Sequence, residues 1–187
     1  MTEKEKMLAG LMYKPSDPEL EAARYRARML FQKANALTEE SKAERDTLFN
    51  QLIDAEDNLR IEPPFQCDYG FNIKAGKNFF MNYGCCILDV AQVSIGDNVM
   101  FAPNVQLYSA THPIEANSRN SGKELGKPIS IGNNVWVGGN STICPGVTLG
   151  DNVVVGAGSV VTKSFPDDVV IAGNPAKIIK TINNSKS

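Results

Sequence analysis

The sequence predicts a mainly β fold: a parallel solenoid of short strands, preceded by a small helical subdomain and broken once by a long loop. Three observations carry this. Between Val93 and Phe165 the chain repeats itself every six residues. Before about residue 60, glycine is scarce, charge is dense and apolar residues fall at helical spacing. From about Ser109 to Lys127 the repeat stops, and it then resumes in the same frame.

The hexads read VSIGDN, VMFAPN and VQLYSA, then, after the break, ISIGNN, VWVGGN, STICPG, VTLGDN, VVVGAG and SVVTKS. Their third places are Ile95, Phe101, Leu107, Ile131, Val137, Ile143, Leu149, Val155 and Val161. An α-helix repeats at 3.6 residues and an ordinary strand at 2, so neither sustains a period of six. A coil with three flat sides does, each side being two strand positions and a turn. The third-place residues then face a continuous core. Gly or another small residue, followed by pairs such as Asp97-Asn98, Asn133-Asn134 and Asp151-Asn152, suits the corners. Fixed-period self-similarity of this kind marks a solenoid.

The helical part spans residues 1–60. Thr2 with Glu5 predicts a capping box and a short helix reaching Ala9. Asp17-Pro18-Glu19 reads as N-cap, first-turn proline and acidic first turn. The helix that follows carries Leu20, Ala23, Ala27, Leu30, Phe31 and Ala34 on one side. Ser41 with Glu44 predicts a second capping box ahead of Leu48, Phe49, Leu52 and Ile53. Such a subdomain would cover the open end of a solenoid, whose strand edges are otherwise unpaired.

Pro63-Pro64 ends the helical part, and the solenoid spans 61–165. Its first coil is irregular: Ala75-Gly76-Lys77-Asn78 parallels Ile95-Gly96-Asp97-Asn98 at a spacing of twenty residues. Two extra residues are therefore absorbed near Leu88-Asp89-Val90. Asn82 and Asp89 there read equally as corner residues or as polar groups of a site. Residues 166–187 give a last strand, a break at Gly173-Asn174-Pro175, a lysine-bearing segment and a tail from Asn183 expected to be disordered.

The break at 109–128 is a polar loop, and loops of this length in a compact domain tend to be functional. It carries the only histidine of the chain, His112, where the rigid repeat gives way. Lys163, Lys177 and Lys180 gather near the other end, either as a solvated basic face or as an anion site.

The bulk properties exclude several classes. The chain has 187 residues and a net charge of −2, which gives no broad attraction to nucleic acid. No apolar run reaches membrane-spanning length, and MTEKEKM is too charged for a secretory signal. Cys67, Cys85, Cys86 and Cys144 lack metal-ligand spacing and read as reduced thiols of a cytoplasmic protein. A single histidine argues against a zinc-dependent enzyme on this scaffold, so no metal is expected.

Taken together, the hexads, YSATHP around His112, the loop ending RNSGKELGKP, NNVWVGGNSTICPGVTLGDN, VVTKSFPDDVV and AGNPAK resemble the maltose/galactoside O-acetyltransferases, closest to maltose O-acetyltransferase. The resemblance covers nearly the whole chain, including the N-terminal MTEKEKMLAG and CDYGFNI. It implies a left-handed parallel β-helix, a homotrimer and an acetyl-CoA site in each cleft between neighbours. It also implies transfer of an acetyl group to a sugar hydroxyl.

The same resemblance assigns residues. His112 is the general base, a role that imidazole chemistry also suits. Asp17, Asp68, Asn82, Asp89 and Glu124 are implied contacts to the acceptor. Asp68 departs from relatives that carry a small hydroxyl residue there. Gly139, through its N–H, is the implied oxyanion donor. Ala157, Thr162 and Lys163 follow the pantetheine and adenine path, and Lys177 and Lys180 lie near phosphate, where relatives can carry Arg. Trp136 is expected to line the cleft.

Two rivals stand beside this reading. One is an acetyltransferase of the same scaffold acting on an amine, an antibiotic or an oligosaccharide. The other is a non-catalytic β-helix, which predicts no acetyl-CoA binding.

Overall fold

The computed structural model describes residues 1–183. The expected disordered tail lies outside them, apart from Asn183 at its start.

Helix α1 (Glu3–Leu8) opens with the predicted capping box: Thr2 Oγ1 accepts from Glu5 N–H, and Glu5 Oε2 accepts from Thr2 N–H. Helix α2 (Pro18–Ala36) begins at Asp17, whose side chain accepts from Glu19 N–H. Helix α3 (Lys42–Leu52) starts differently from expectation. Ser41 closes a 3₁₀ turn, Glu39–Ser41, and at φ −103°, ψ 25° its hydroxyl caps nothing. The 3₁₀ turn leads straight into α3, so no extended residue is available to aim a side chain back at the first turn.

The N-terminal helices end at Leu52, and pairing within the solenoid begins at Asp54, ahead of the boundary near residue 60 that composition suggests. Three parallel faces follow. Face 1 stacks Asp54–Asp57, Ile73–Lys77, Val93–Ile95, Ile129–Ile131 and Thr148–Leu149. Face 2 stacks Arg60–Ile61, Phe80–Met81, Met100–Phe101, Trp136–Val137, Val154–Val155 and Val169–Gly173, and adds Ala176–Thr181 as an antiparallel edge. Face 3 stacks Gln66–Cys67, Cys86–Leu88, Gln106–Tyr108, Thr142–Ile143 and Val160–Val161. The chain visits faces 1, 2 and 3 in turn, which makes a parallel β-helix.

Every predicted third-place residue is buried, and so are the first places, from Val93 through Val153. Period-2 alternation within each short strand puts both on the inner side. Two first places are serines, Ser141 and Ser159, and both hydroxyls donate to the Gly156 carbonyl. Their polar groups are thereby satisfied inside the core. The corner between faces 1 and 2 is held by Asn78, Asn98, Asn134 and Asn152, each at φ near +60°. Their side chains form a ladder along the prism: Asn78 Nδ2 donates to Asn98 Oδ1, Asn98 to Asn134, and Asn134 to Asn152. Asn tolerates this left-handed backbone, and here its amide also bonds the next coil.

The helices close the first coil. Ala27, Phe31, Ala34, Leu48, Phe49 and Leu52 join the same apolar core as the solenoid. Asn35 clamps Phe65 by accepting its N–H and donating to its carbonyl. A second, smaller core of Met7, Tyr13, Leu20, Tyr69 and Val90 forms where α1 and α2 meet the corner between faces 3 and 1.

Candidate active site

The departures from hexad spacing collect at one corner. Inner-facing residues pair Cys67↔Ile87 and Ile87↔Leu107 at offsets of 20, Leu107↔Ile143 at 36 and Ile143↔Val161 at 18. On faces 1 and 2 the spacing within a coil stays at six. The extra residues therefore lie between faces 3 and 1: Asp68–Asn72 in the first coil, Asp89–Gln92 in the second and the long loop in the third. The predicted two-residue irregularity near Asp89 is there, and a matching one lies at Asp68. Gly70, at φ +79°, allows the first of these turns: a Cβ would lie 2.5 Å from the Leu52 carbonyl and side chain.

A cavity of about 240 Å³ opens at this corner, lined by Tyr13, Pro15, Arg24, Arg28, Asp68, Tyr69, Val90 and Glu124. Arg24 is fixed by two donations, to Tyr69 Oη at 2.7 Å and to the Pro15 carbonyl at 2.6 Å. Glu124 Oε2 accepts from Tyr13 Oη at 3.0 Å. Burial pushes the Asp68 carboxyl up from its usual range and the Glu124 carboxylate adds to that, while Arg24 and Arg28 pull it back. The cavity thus offers carboxylate acceptors and guanidinium donors around a small polar space, as a polyhydroxylated ligand requires.

Asp89 does not face this cavity. It is fully buried; Oδ1 accepts from the N–H of Asp68 and Tyr69, and Oδ2 from that of Asn72. Its expected contact to the acceptor is replaced by a supporting one, because the two-residue insertion turns it inward beneath the Asp68 turn. Asp17 stays half-buried as the N-cap of α2 and is not among the cavity's lining residues. Tyr13 and Arg24 also line the cavity, and no periodicity in the sequence marks them. A lone aromatic in the polar linker MYKPSDP was the available signal.

His112 follows the strand Ala110–Thr111 at the mouth of the long loop, exposed and without a hydrogen-bond partner among the described residues. Asn82 and Gly139 sit elsewhere, on the corner between faces 2 and 3. Asn82 Oδ1 accepts from Tyr83 N–H, and Ala157 is stacked beside Gly139, whose carbonyl accepts from Gly158 N–H. The Gly139 N–H donates to no group among the described residues. Thr162 and Lys163 return to the corner between faces 3 and 1, both exposed. Lys177 and Lys180 are exposed on the antiparallel edge of face 2, with no ion pair among the described residues. Trp136 is half-exposed on face 2, beside Met100.

The proposed site residues of one chain therefore split between two corners. A face-3 strand with its flanks covers about five residues, on the order of 15 Å. That distance is too long for His112 and Gly139 of one prism to meet across its own face.

Among the described residues no group of three or more His, Cys, Asp or Glu could hold a metal ion, and no helix is long and apolar enough to cross a membrane.

A hexad-built parallel β-helix closed by N-terminal helices is the frame of the hexapeptide-repeat acetyltransferases. Residues 6–55 match the maltose acetyltransferase hexapeptide capping motif, and 128–163 match the hexapeptide repeat of succinyl-transferase. A maltose O-acetyltransferase structure from Clostridium difficile 630 superposes with TM-score 0.97 at 50% identity, covering 98% of this chain and 99% of that one. A galactoside acetyltransferase in complex with coenzyme A superposes at 0.95 with 40% identity, covering 98% and 92%. Nodulation protein L of Rhizobium meliloti is 47% identical over 179 residues, 95% of this chain and 97% of its own. The chain belongs to the maltose/galactoside O-acetyltransferase family, and its class of activity is acetyl transfer.

Proposed function

We propose that this protein transfers acetyl from acetyl-CoA to a hydroxyl of a sugar such as maltose, glucose or a galactoside. It does so as a homotrimer whose sites lie between neighbouring subunits. The observation that carries the reading is the gathering of every insertion at one corner, which brings the stem of the His112 loop and a cavity lined by Asp68, Glu124, Arg24 and Arg28 to the same end of face 3. The coenzyme A complex of the galactoside acetyltransferase supports the donor.

His112 takes the proton from the acceptor hydroxyl as that oxygen attacks the thioester carbonyl. The Gly139 N–H, free of any partner among the described residues, receives the oxyanion, and the missing side chain leaves room for the thioester. Collapse expels the thiolate, and His112 returns the proton to sulfur. Asp68, Glu124 and Asn82 bind and orient the acceptor. Asp89 holds the Asp68 turn. Ala157, Thr162 and Lys163 line the donor path, with Lys177 and Lys180 at its phosphates.

The split of these residues between two corners supports a site completed by a neighbouring copy, as a trimer of adjacent prisms supplies. His112 of one subunit meets Gly139 and Asn82 of the next, and Met100 and Trp136 gain cover.

The alternative acceptor is an amine or a larger oligosaccharide. Thiol release from acetyl-CoA across mono-, di- and oligosaccharides and amines, together with light scattering, tests both. Turnover on sugar hydroxyls by a trimer is expected. No release with any sugar, or a monomer with full activity, would overturn the reading.

A further inference from the structure

We infer that Tyr13 is a positioning residue for His112: it pins the loop that carries the histidine to the helical subdomain through Glu124. The inference rests on the reading of His112 as the base. The stem of the loop is a short antiparallel pair, Ala110↔Gly126 and Thr111↔Leu125, and His112 is the next residue. On the outer side of this pair, Tyr13 adds a bridge to Glu124. Tyr13 N–H donates to the Glu124 carbonyl at 3.0 Å, and Glu124 N–H donates to the Tyr13 carbonyl at 3.1 Å. The segment Glu124–Gly126 is thus the middle strand of a three-stranded patch, with the His112 strand on one side and Tyr13 on the other.

The side chains repeat the connection. Tyr13 Oη donates to Glu124 Oε2 at 3.0 Å, and the Tyr13 ring is fully buried against Met7, Leu20, Tyr69 and Val90. Burial of the ring and the neighbouring Tyr69 and Glu124 push the Tyr13 hydroxyl far above its ordinary range, so it stays a donor. Gly10 also lies beside this strand: a Cβ there would be in ordinary contact, 3.6 Å, with the Gly126 carbonyl.

Within the loop, the hydrogen bonds of the described residues are local. Arg119 donates to the carbonyls of Pro113 and Ile114, and Ser121 to that of Ser118. His112 itself has no partner among the described residues, so its placement depends on the stem. The stem is held from below by Lys127 N–H on the Ser109 carbonyl and from the side by Tyr13. The helical subdomain, besides closing the first coil, thereby fixes the stem from which the base projects.

His112 is the only histidine, so in untagged protein it gives a single imidazole Cε1–H resonance. The test records that resonance, its pH titration and steady-state kinetics in wild type, Tyr13→Phe and Tyr13→Ala. Tyr13→Phe is expected to shift and sharpen the resonance and to lower kcat by roughly ten-fold with the KM for acetyl-CoA unchanged. Tyr13→Ala should do more of each, towards the roughly 10²-fold that small misplacements of a catalytic group cost. An unchanged His112 resonance and unchanged kcat in both folded variants would overturn the inference. If His112→Ala keeps its turnover, the role of His112 as base falls instead, and the resonance still decides whether Tyr13 holds the loop.

Discussion

Asp89 Oδ1 accepts the backbone N–H of Asp68 at 3.0 Å, one coil along the prism. The same oxygen takes Tyr69 N–H at 2.9 Å, so one buried carboxylate shapes the turn that presents Asp68 to the cavity. Burial pushes the Asp89 carboxyl up to about 6, against the backbone N–H groups that favour its ionised form.

This predicts a pH dependence of stability. The folded-state value lies above the unfolded one, so the contribution is fully present below about pH 4 and is lost as pH rises through about 6. Its size is up to about 3 kcal/mol, two units at 1.36 kcal/mol each. Asp89→Asn should flatten the difference between the unfolding free energies at pH 4 and pH 6.5. It should also cost about 1–3 kcal/mol, because an amide donor then faces a backbone donor. Urea unfolding at both pH values measures this.

The two glycines of Trp136-Val137-Gly138-Gly139 should separate structure from chemistry. A Cβ on Gly138 would lie 2.6 Å from Ala157 N and 2.7 Å from the Val155 carbonyl, both backbone atoms of the next coil. Gly138→Ala is expected to destabilise by several kcal/mol or to prevent folding. On Gly139 the nearest atom is the Pro103 carbonyl at 3.1 Å. Gly139→Ala should fold with a stability loss of about 1 kcal/mol or less yet lose turnover, as circular dichroism and initial rates will show.

Asn134 carries two costs that substitution can divide. Its φ is +56°, and its amide bonds both Asn98 and Asn152. Asn134→Gly should lose about 1–2 kcal/mol for the two hydrogen bonds, and Asn134→Ala about 1–2 kcal/mol more for the left-handed backbone. Thermal unfolding of the two variants gives the difference.

Asp68 lines the cavity with Arg24, Arg28 and Glu124. Asp68→Ala is expected to raise the acceptor KM by roughly ten-fold, the loss of one or two net hydrogen bonds, and to leave the acetyl-CoA KM unchanged. Initial rates with each substrate varied in turn check this.

The parts of the molecule that were legible in the sequence are those written in short spans. A hexad places its core residue and its corner within six positions, so Ile95 through Val161 could be assigned to the interior without a partner in view. Thr2 with Glu5, and Asp17 with Pro18, are equally local. Ser41 with Glu44 shows the same pattern, and a preceding 3₁₀ turn removes its geometry. Asp89 is marked in the sequence by spacing alone, as the place where residues are inserted. Counting does not say whether a side chain at an insertion turns outward or inward; three backbone donors from the previous coil decide that. Tyr13 and Glu124 are 111 residues apart, and nothing periodic connects them. His112 stood out because it is single and because the repeat breaks beside it.

The most direct measurement is the acetyl-transfer rate of purified His112→Ala with a sugar acceptor, alongside its oligomeric state and unfolding curve. His112 is exposed and supports no packing, so the variant should fold and assemble like wild type. Its kcat should fall by roughly 10²–10⁴-fold, the contribution of a positioned general base. Wild-type turnover in a clean preparation of this variant would contradict the account.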